Sequence, residues 1–139
     1  MSVTATSHEA HASSPTTNTT AVRWVQADAL MSGASGLLLA AAAPILDGVL
    51  GVSVGFLIAV GIFLLLYAGF LVLVARRGAP APAVKTVVAG NALWVVASVA
   101  VVLTDVLSLS TAGTVFTLLQ AGAVAIVADL QYMSIRWKR

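Results

Sequence analysis

The sequence predicts an all-α integral membrane protein, a bundle of four transmembrane helices built as two helical hairpins. Three observations lead there. Of 139 residues, 60% are hydrophobic and 9% charged, with a mean hydropathy of +1.02, whereas soluble domains carry about 25% charged residues. The apolar residues gather into four runs, each about as long as the ~20 residues a helix needs to cross a ~30 Å hydrocarbon core. All seven Lys and Arg flank these runs on three of the five remaining segments.

Residues 1–22 are mostly Ser, Thr, Ala, His and Asn, with Glu9 the single acid. No apolar period gives this stretch a face to bury against its ordering entropy, so it reads as a disordered cytoplasmic tail. His8 and His11 stand there without a third ligand and read as solvated histidines rather than a metal site. Residues 23–139 form the transmembrane domain. The first span covers about residues 27–46, following Arg23, Trp24 and Asp28 and ending at Leu46-Asp47-Gly48. The second, about 54–75, holds no charge and only Tyr67 with a polar tip; Ser53 is a candidate N-cap, and Arg76 and Arg77 stop it. Residues 78–83 read as a short semi-stiff loop, because Pro80 and Pro82 lack a donor and restrict their predecessors. The third span, about 84–104, has Lys85 near its start and Asp105 just past its end. Ser110 is a candidate cap for the fourth, about 111–132, after which come Arg136, Trp137, Lys138 and Arg139.

Basic residues fix the expected orientation. They lie on the N-terminal flank, between spans two and three, and on the C-terminal flank, while the other two loops hold one aspartate each and no Lys or Arg. Four spans put all three basic segments on one side, and the positive-inside rule makes that side the cytoplasm of an inner (plasma) membrane protein. Trp24, Tyr132 and Trp137 fit as interfacial anchors, whereas Trp94 lies deeper. Ala40 to Ala43 resembles a signal-peptidase site, but Pro44 follows directly and a polar tail precedes Arg23, so the first run reads as a retained span. At an offset of 58 residues Asp47, Ser53 and Gly55 match Asp105, Thr111 and Gly113. This is either a duplicated hairpin or convergent turn-and-cap chemistry.

With no cysteine in the chain and no histidine or glutamate in its spans, thiol chemistry and the usual catalytic constellations are missing, so the sequence reads as non-enzymatic and without a cofactor. The basic residues come in ones to threes with no aromatic platform, which argues against nucleic acid as a partner. The partners expected are the lipid bilayer and a further copy or another membrane protein. Four intramembrane polar residues stand out: Asp28, Asn91, Gln120 and Asp129. Asp28 lies about 8 Å along a helix from Arg23, Asn91 about 9 Å from Lys85 and Asp129 about 10 Å from Arg136, which sets three of them in one layer beneath the inner interface. That layer reads either as a polar cluster open to the cytoplasm, or as carboxylates snorkelling to nearby arginines while Asn91 bonds a neighbouring helix.

Gln120, with Gly113, Thr117 and Ala121, forms a small-polar stripe that should meet another helix, and Asp129 points to the opposite side. Asp28, Ser32, Ser35 and Gly36 form a similar stripe on span one. In span two, Gly55 and Ala59 would permit close packing, yet the absence of a polar stripe marks that span as the most lipid-exposed. By size, four-span layout and the Asp28, Asn91, Trp94 and Gln120 pattern, residues 23–139 resemble short bacterial integral membrane proteins of unassigned role. Small multidrug-resistance exporters share the four helices and a first-span carboxylate. This chain departs from them in having Asp28 instead of a mid-span glutamate, and a strong charge bias. The expected function is a structural, regulatory or partner-binding membrane component; the alternative is a small proton- or cation-linked transporter or channel subunit that uses Asp28 and Asp129 as a carboxylate pair.

Overall fold

A computed structural model describes residues 17–137 of the chain. His8 and His11, and the expected tail up to residue 16, lie outside the described residues. The fold is all-helical: α1 (Thr19–Ala41), α2 (Ala43–Leu50), α3 (Val54–Arg76), α4 (Ala81–Thr104) and α5 (Thr111–Arg136). Helices α3, α4 and α5 are each long and apolar enough to cross a membrane, and α1 with α2 passes the same test as a bent pair, giving three or four candidate spans.

Helix starts and stops follow from local chemistry. Asn18 opens α1: its Oδ1 accepts from the Ala21 amide at 3.2 Å, and its Nδ2 donates to the Ser134 carbonyl at 2.9 Å. Residues 19–22, expected in the tail, are therefore helical, and Ala21 and Val25 are fully buried. The first apolar run is not one straight helix ending at Leu46. It breaks at Ala42 and turns by 92° into α2. Pro44 explains the break, since it cannot donate to the carbonyl four residues back and its ring clashes with it. Asp47 does not end the run but sits inside α2, which finishes at Gly51 in the left-handed conformation.

Between α3 and α4 the chain makes a Schellman turn. The Ala79 amide donates to the Val74 carbonyl and the Gly78 amide to that of Ala75, both at 3.0 Å, with Gly78 at φ 78°. Pro82 lies in the first turn of α4 rather than in the connecting loop; a proline there forgoes an amide that has no helical partner anyway. Ser53 caps α3 by accepting from the Phe56 amide, and Ser110 caps α5 by accepting from that of Gly113.

The matched segments at offset 58 do not form matching structures. Asp47 is helical whereas Asp105 ends α4 at φ 51°, and the capping serines, 53 and 110, are 57 residues apart. Gly113 packs against the Leu50 backbone, while Gly55 has open space where a Cβ would point. These differences favour convergent turn chemistry over a duplicated hairpin.

Hydrogen bonds tie both ends of the bundle. At one end, Asn18 joins the start of α1 to α5, and Thr17 lies beside Gly78 of the α3–α4 turn. At the other, Ser110 donates its amide to the Leu50 carbonyl and its hydroxyl to that of Val49, at 3.1 and 2.5 Å. Arg23, Arg76, Arg77, Lys85 and Arg136 thus belong to the end where α1 begins, α3 and α4 meet, and α5 finishes. Two apolar cores follow this division. Val25, Leu71, Val84 and Val87 fill the basic end, and Leu39, Leu50 and Leu57 the other.

Helix α1 packs along α3 and α4 along α5, while the backbones of the consecutive helices α3 and α4 hardly approach. The α1–α3 seam runs through Gly36 and Gly61, where a Cβ on either would lie 2.7 Å from backbone atoms of the opposing helix. Gly55 and Ala59 take no part in it; Ala59 is exposed. Nor is the second run the most exposed: 28% of its apolar window is buried, against 17% in α4 and 22% in α5. Small residues on the α1 side of α3 let the backbones close up, which a search for polar stripes does not reveal. Gly61→Leu should therefore lower stability by roughly 1–3 kcal/mol through overpacking, while Gly55→Leu stays near neutral. Thermal unfolding of the two variants in detergent, followed by circular dichroism, measures the difference.

Candidate functional site

Between the two apolar cores lies a layer of hydrogen-bonded polar side chains centred on Asp28. Each of the four long helices contributes one residue or more. Asp28 Oδ2 accepts from Asn91 Nδ2 of α4 at 2.7 Å and from Gln131 Nε2 of α5 at 2.8 Å, and Oδ1 accepts from Ser32 Oγ at 3.3 Å. Asn91 Nδ2 also lies 3.2 Å from Gln131 Oε1, and Asn91 Oδ1 accepts from the Tyr67 hydroxyl of α3 at 2.9 Å. Asp28, Asn91 and Gln131 are 4%, 3% and 0% exposed. All three contacts bring a donor to the carboxylate, which can accept at both oxygens. Polar side chains buried in a spanning bundle are costly unless they are paired in this way. Among the described residues no buried side-chain polar atom lacks a partner.

A second network lies further from the basic end. Trp94 Nε1 donates to Gln120 Oε1 at 2.8 Å, and Gln120 Nε2 donates to Ser98 Oγ at 3.0 Å. The Trp94 ring stacks on Phe63 of α3, with centroids 5.9 Å apart and planes 9° from parallel, and Phe63 in turn stacks on Tyr67 at 6.3 Å. This accounts for the deep tryptophan. With α3 and α4 held apart, these rings bridge the gap between them.

The gap contains two cavities. One, of about 380 Å³, is lined by Asp28, Tyr67, Asn91 and Trp94 among largely apolar neighbours. The other, of about 280 Å³, lies toward α2 among residues including Leu39, Leu50, Phe56 and Val101. Ser35, Leu64, Trp94, Ala97 and Gln120 line both, so the Trp94–Gln120 pair stands where they adjoin.

Of the four sequence candidates, the structure brings Asp28 and Asn91 into direct contact, as their common depth suggests, and places Gln120 in the second network. Asp129 joins neither; it is exposed on the far side of α5. An aspartate pair facing across the bundle is therefore not formed, and Asp28 is held by amides rather than by arginine. Helix α5 contributes Gln131, which the sequence does not mark out by charge. A signal for it existed: Gln131 lies eleven residues after Gln120, about three helical turns, and so shares its face. No protein-family model, curated protein or solved structure matches the chain.

A double-mutant cycle between Asp28→Ala and Asn91→Ala should give a coupling of about 1.5–3 kcal/mol, as for hydrogen bonds to charged groups. The neutral Trp94–Gln120 pair should give about 0.6 kcal/mol, the average for polar pairs between membrane helices. Equilibrium unfolding in mixed micelles measures both cycles, with Asp129→Asn expected to leave stability within about 0.5 kcal/mol of wild type.

Proposed function

We propose that the chain is a four-span inner-membrane protein acting as a small proton- or cation-linked transporter, or as one subunit of such a transporter, with Asp28 as the ion-responsive group. The observation that carries this reading is that Asp28, a buried carboxylate among apolar helices, lines an interior cavity instead of reaching for interfacial arginines. Ionisable residues that face such a cavity inside a membrane bundle mark ion and substrate paths. The 23 residues of α1 measure about 34 Å at 1.5 Å per residue, matching the ~30 Å core in length, while the run reaches a spanning hydropathy together with α2. In this reading α2 lies across the outer end as an interfacial segment. The basic end, with the start of α1, the α3–α4 turn and the end of α5, faces the cytoplasm by the positive-inside rule. Asp28 then lies in the inner half of the membrane.

A second reading, a non-enzymatic structural or partner-binding component, is favoured by the completeness of the Asp28 hydrogen bonding, since a fully satisfied polar cluster also fixes how helices pack. Proteoliposomes separate the two. Under an imposed pH gradient, wild type and Asp129→Asn should dissipate the gradient, and Asp28→Asn should do so at least tenfold more slowly; a flux unaffected by Asp28→Asn rejects the transporter reading. Because the chain has no cysteine, single cysteines at 91 and 120 probe the cavities directly. Reaction of either with a water-soluble maleimide in right-side-out and inverted vesicles is expected for a transport path, and protection of both from each side for a purely structural cluster.

A further inference from the structure

Resting on the transporter reading, we infer that the cavity beside Asp28 is a binding site for a small organic monocation with an apolar or aromatic body. Charge selects the sign. Asp28 is the single acidic or basic residue on the wall, with no Lys, Arg or His among the lining residues, so the wall offers a carboxylate to a cation and no counter-charge to an anion.

The side-chain oxygens suit a bare metal ion poorly. Hard cations need a cage of about six or more oxygens, whereas here the side-chain carbonyl of Asn91 is taken by Tyr67 and that of Gln131 by Asn91. Nor do the described residues contain a group of three or more metal-ligating His, Cys, Asp or Glu side chains. Asp28 is arranged to receive a cation from one side. Both amide donors converge on Oδ2, leaving Oδ1 with the long Ser32 contact alone.

The rest of the wall suits a hydrophobic body. Phe63, Tyr67 and Trp94 supply aromatic faces, which attract cations through their ring quadrupoles. A volume of about 380 Å³ falls at the small end of the roughly 300–1,000 Å³ typical of small-molecule sites. The mouth opens on the flank of the bundle between α3 and α4, where the lining residues Leu93 and Phe63 are 70% and 53% exposed. A ligand with an apolar body can enter there from the lipid phase, where an inorganic ion does not partition.

The test uses the full chain in nanodiscs with Trp24→Phe and Trp137→Phe, leaving Trp94 as the fluorescent reporter. Benzyltrimethylammonium should quench it saturably, and the neutral isostere neopentylbenzene and the anion phenylmethanesulfonate should bind at least tenfold more weakly. Asp28→Asn should weaken the cation at least tenfold and Asp129→Asn should leave it unchanged. Gly90→Leu, which narrows the cavity beside the Tyr67 hydroxyl while leaving every hydrogen-bond partner of the carboxylate in place, should also weaken it tenfold or more and carries the test if Asp28→Asn does not fold. Equal binding of cation and neutral isostere, or unchanged affinity in Gly90→Leu, overturns the inference. Asp28-dependent proton flux without saturable binding of the cation overturns it too, while leaving the transporter reading standing. Saturable, Asp28-dependent binding without flux supports the site and rejects transport.

Discussion

The arrangement of the bundle depends on how one carboxylate is satisfied away from water. Lipid tails are as apolar as leucine side chains, so burial of apolar area gives membrane helices little reason to prefer each other over lipid. What distinguishes one packing from another is close backbone approach and polar pairing. The α1–α3 seam uses the first, through Gly36 and Gly61. Helices α4 and α5 are joined by Trp94, Gln120 and Ser98. The two pairs are then locked together by Asp28, which needs donors that its own helix cannot supply beyond Ser32 and finds them in Asn91 and Gln131.

The same solution leaves space elsewhere. Because the hairpins meet through a polar layer and stacked rings instead of a tight α3–α4 seam, space is left between them. Cavities remain on both sides of the Trp94–Gln120 contact. Gln131, fully buried, supports Asp28 from behind, while the carboxylate keeps a cavity-facing side. A rigid back and an open front are what a binding group requires, since a side chain fixed by its neighbours loses little further freedom when a ligand arrives.

Depth along each helix was legible from the sequence and azimuth only in part. Counting residues from the flanking basic side chains set Asp28 and Asn91 in one layer, and the structure bonds them. The same count favoured Asp129 on α5, yet a two-residue step turns a helix by about 200°, and Gln131 faces inward while Asp129 faces out. Charge drew attention to the aspartate. The continuing face from Gly113 through Gln120 and Ala121 pointed to the glutamine. Likewise Pro44, weighed only as an obstacle to cleavage, is the residue that divides the first apolar run.

Composition, apolar run length and the placement of seven basic residues determined by themselves that this chain is helical and suited to lipid, because hydrocarbon tolerates no unpaired backbone and little charge. Ser53 and Ser110 as helix caps were equally local and equally readable. Only the tertiary structure decided which glycines close a seam, which amides surround Asp28, and that α3 and α4 stand apart. Those outcomes depend on the rotation of each helix about its own axis, and that rotation is settled jointly by all the neighbours at once.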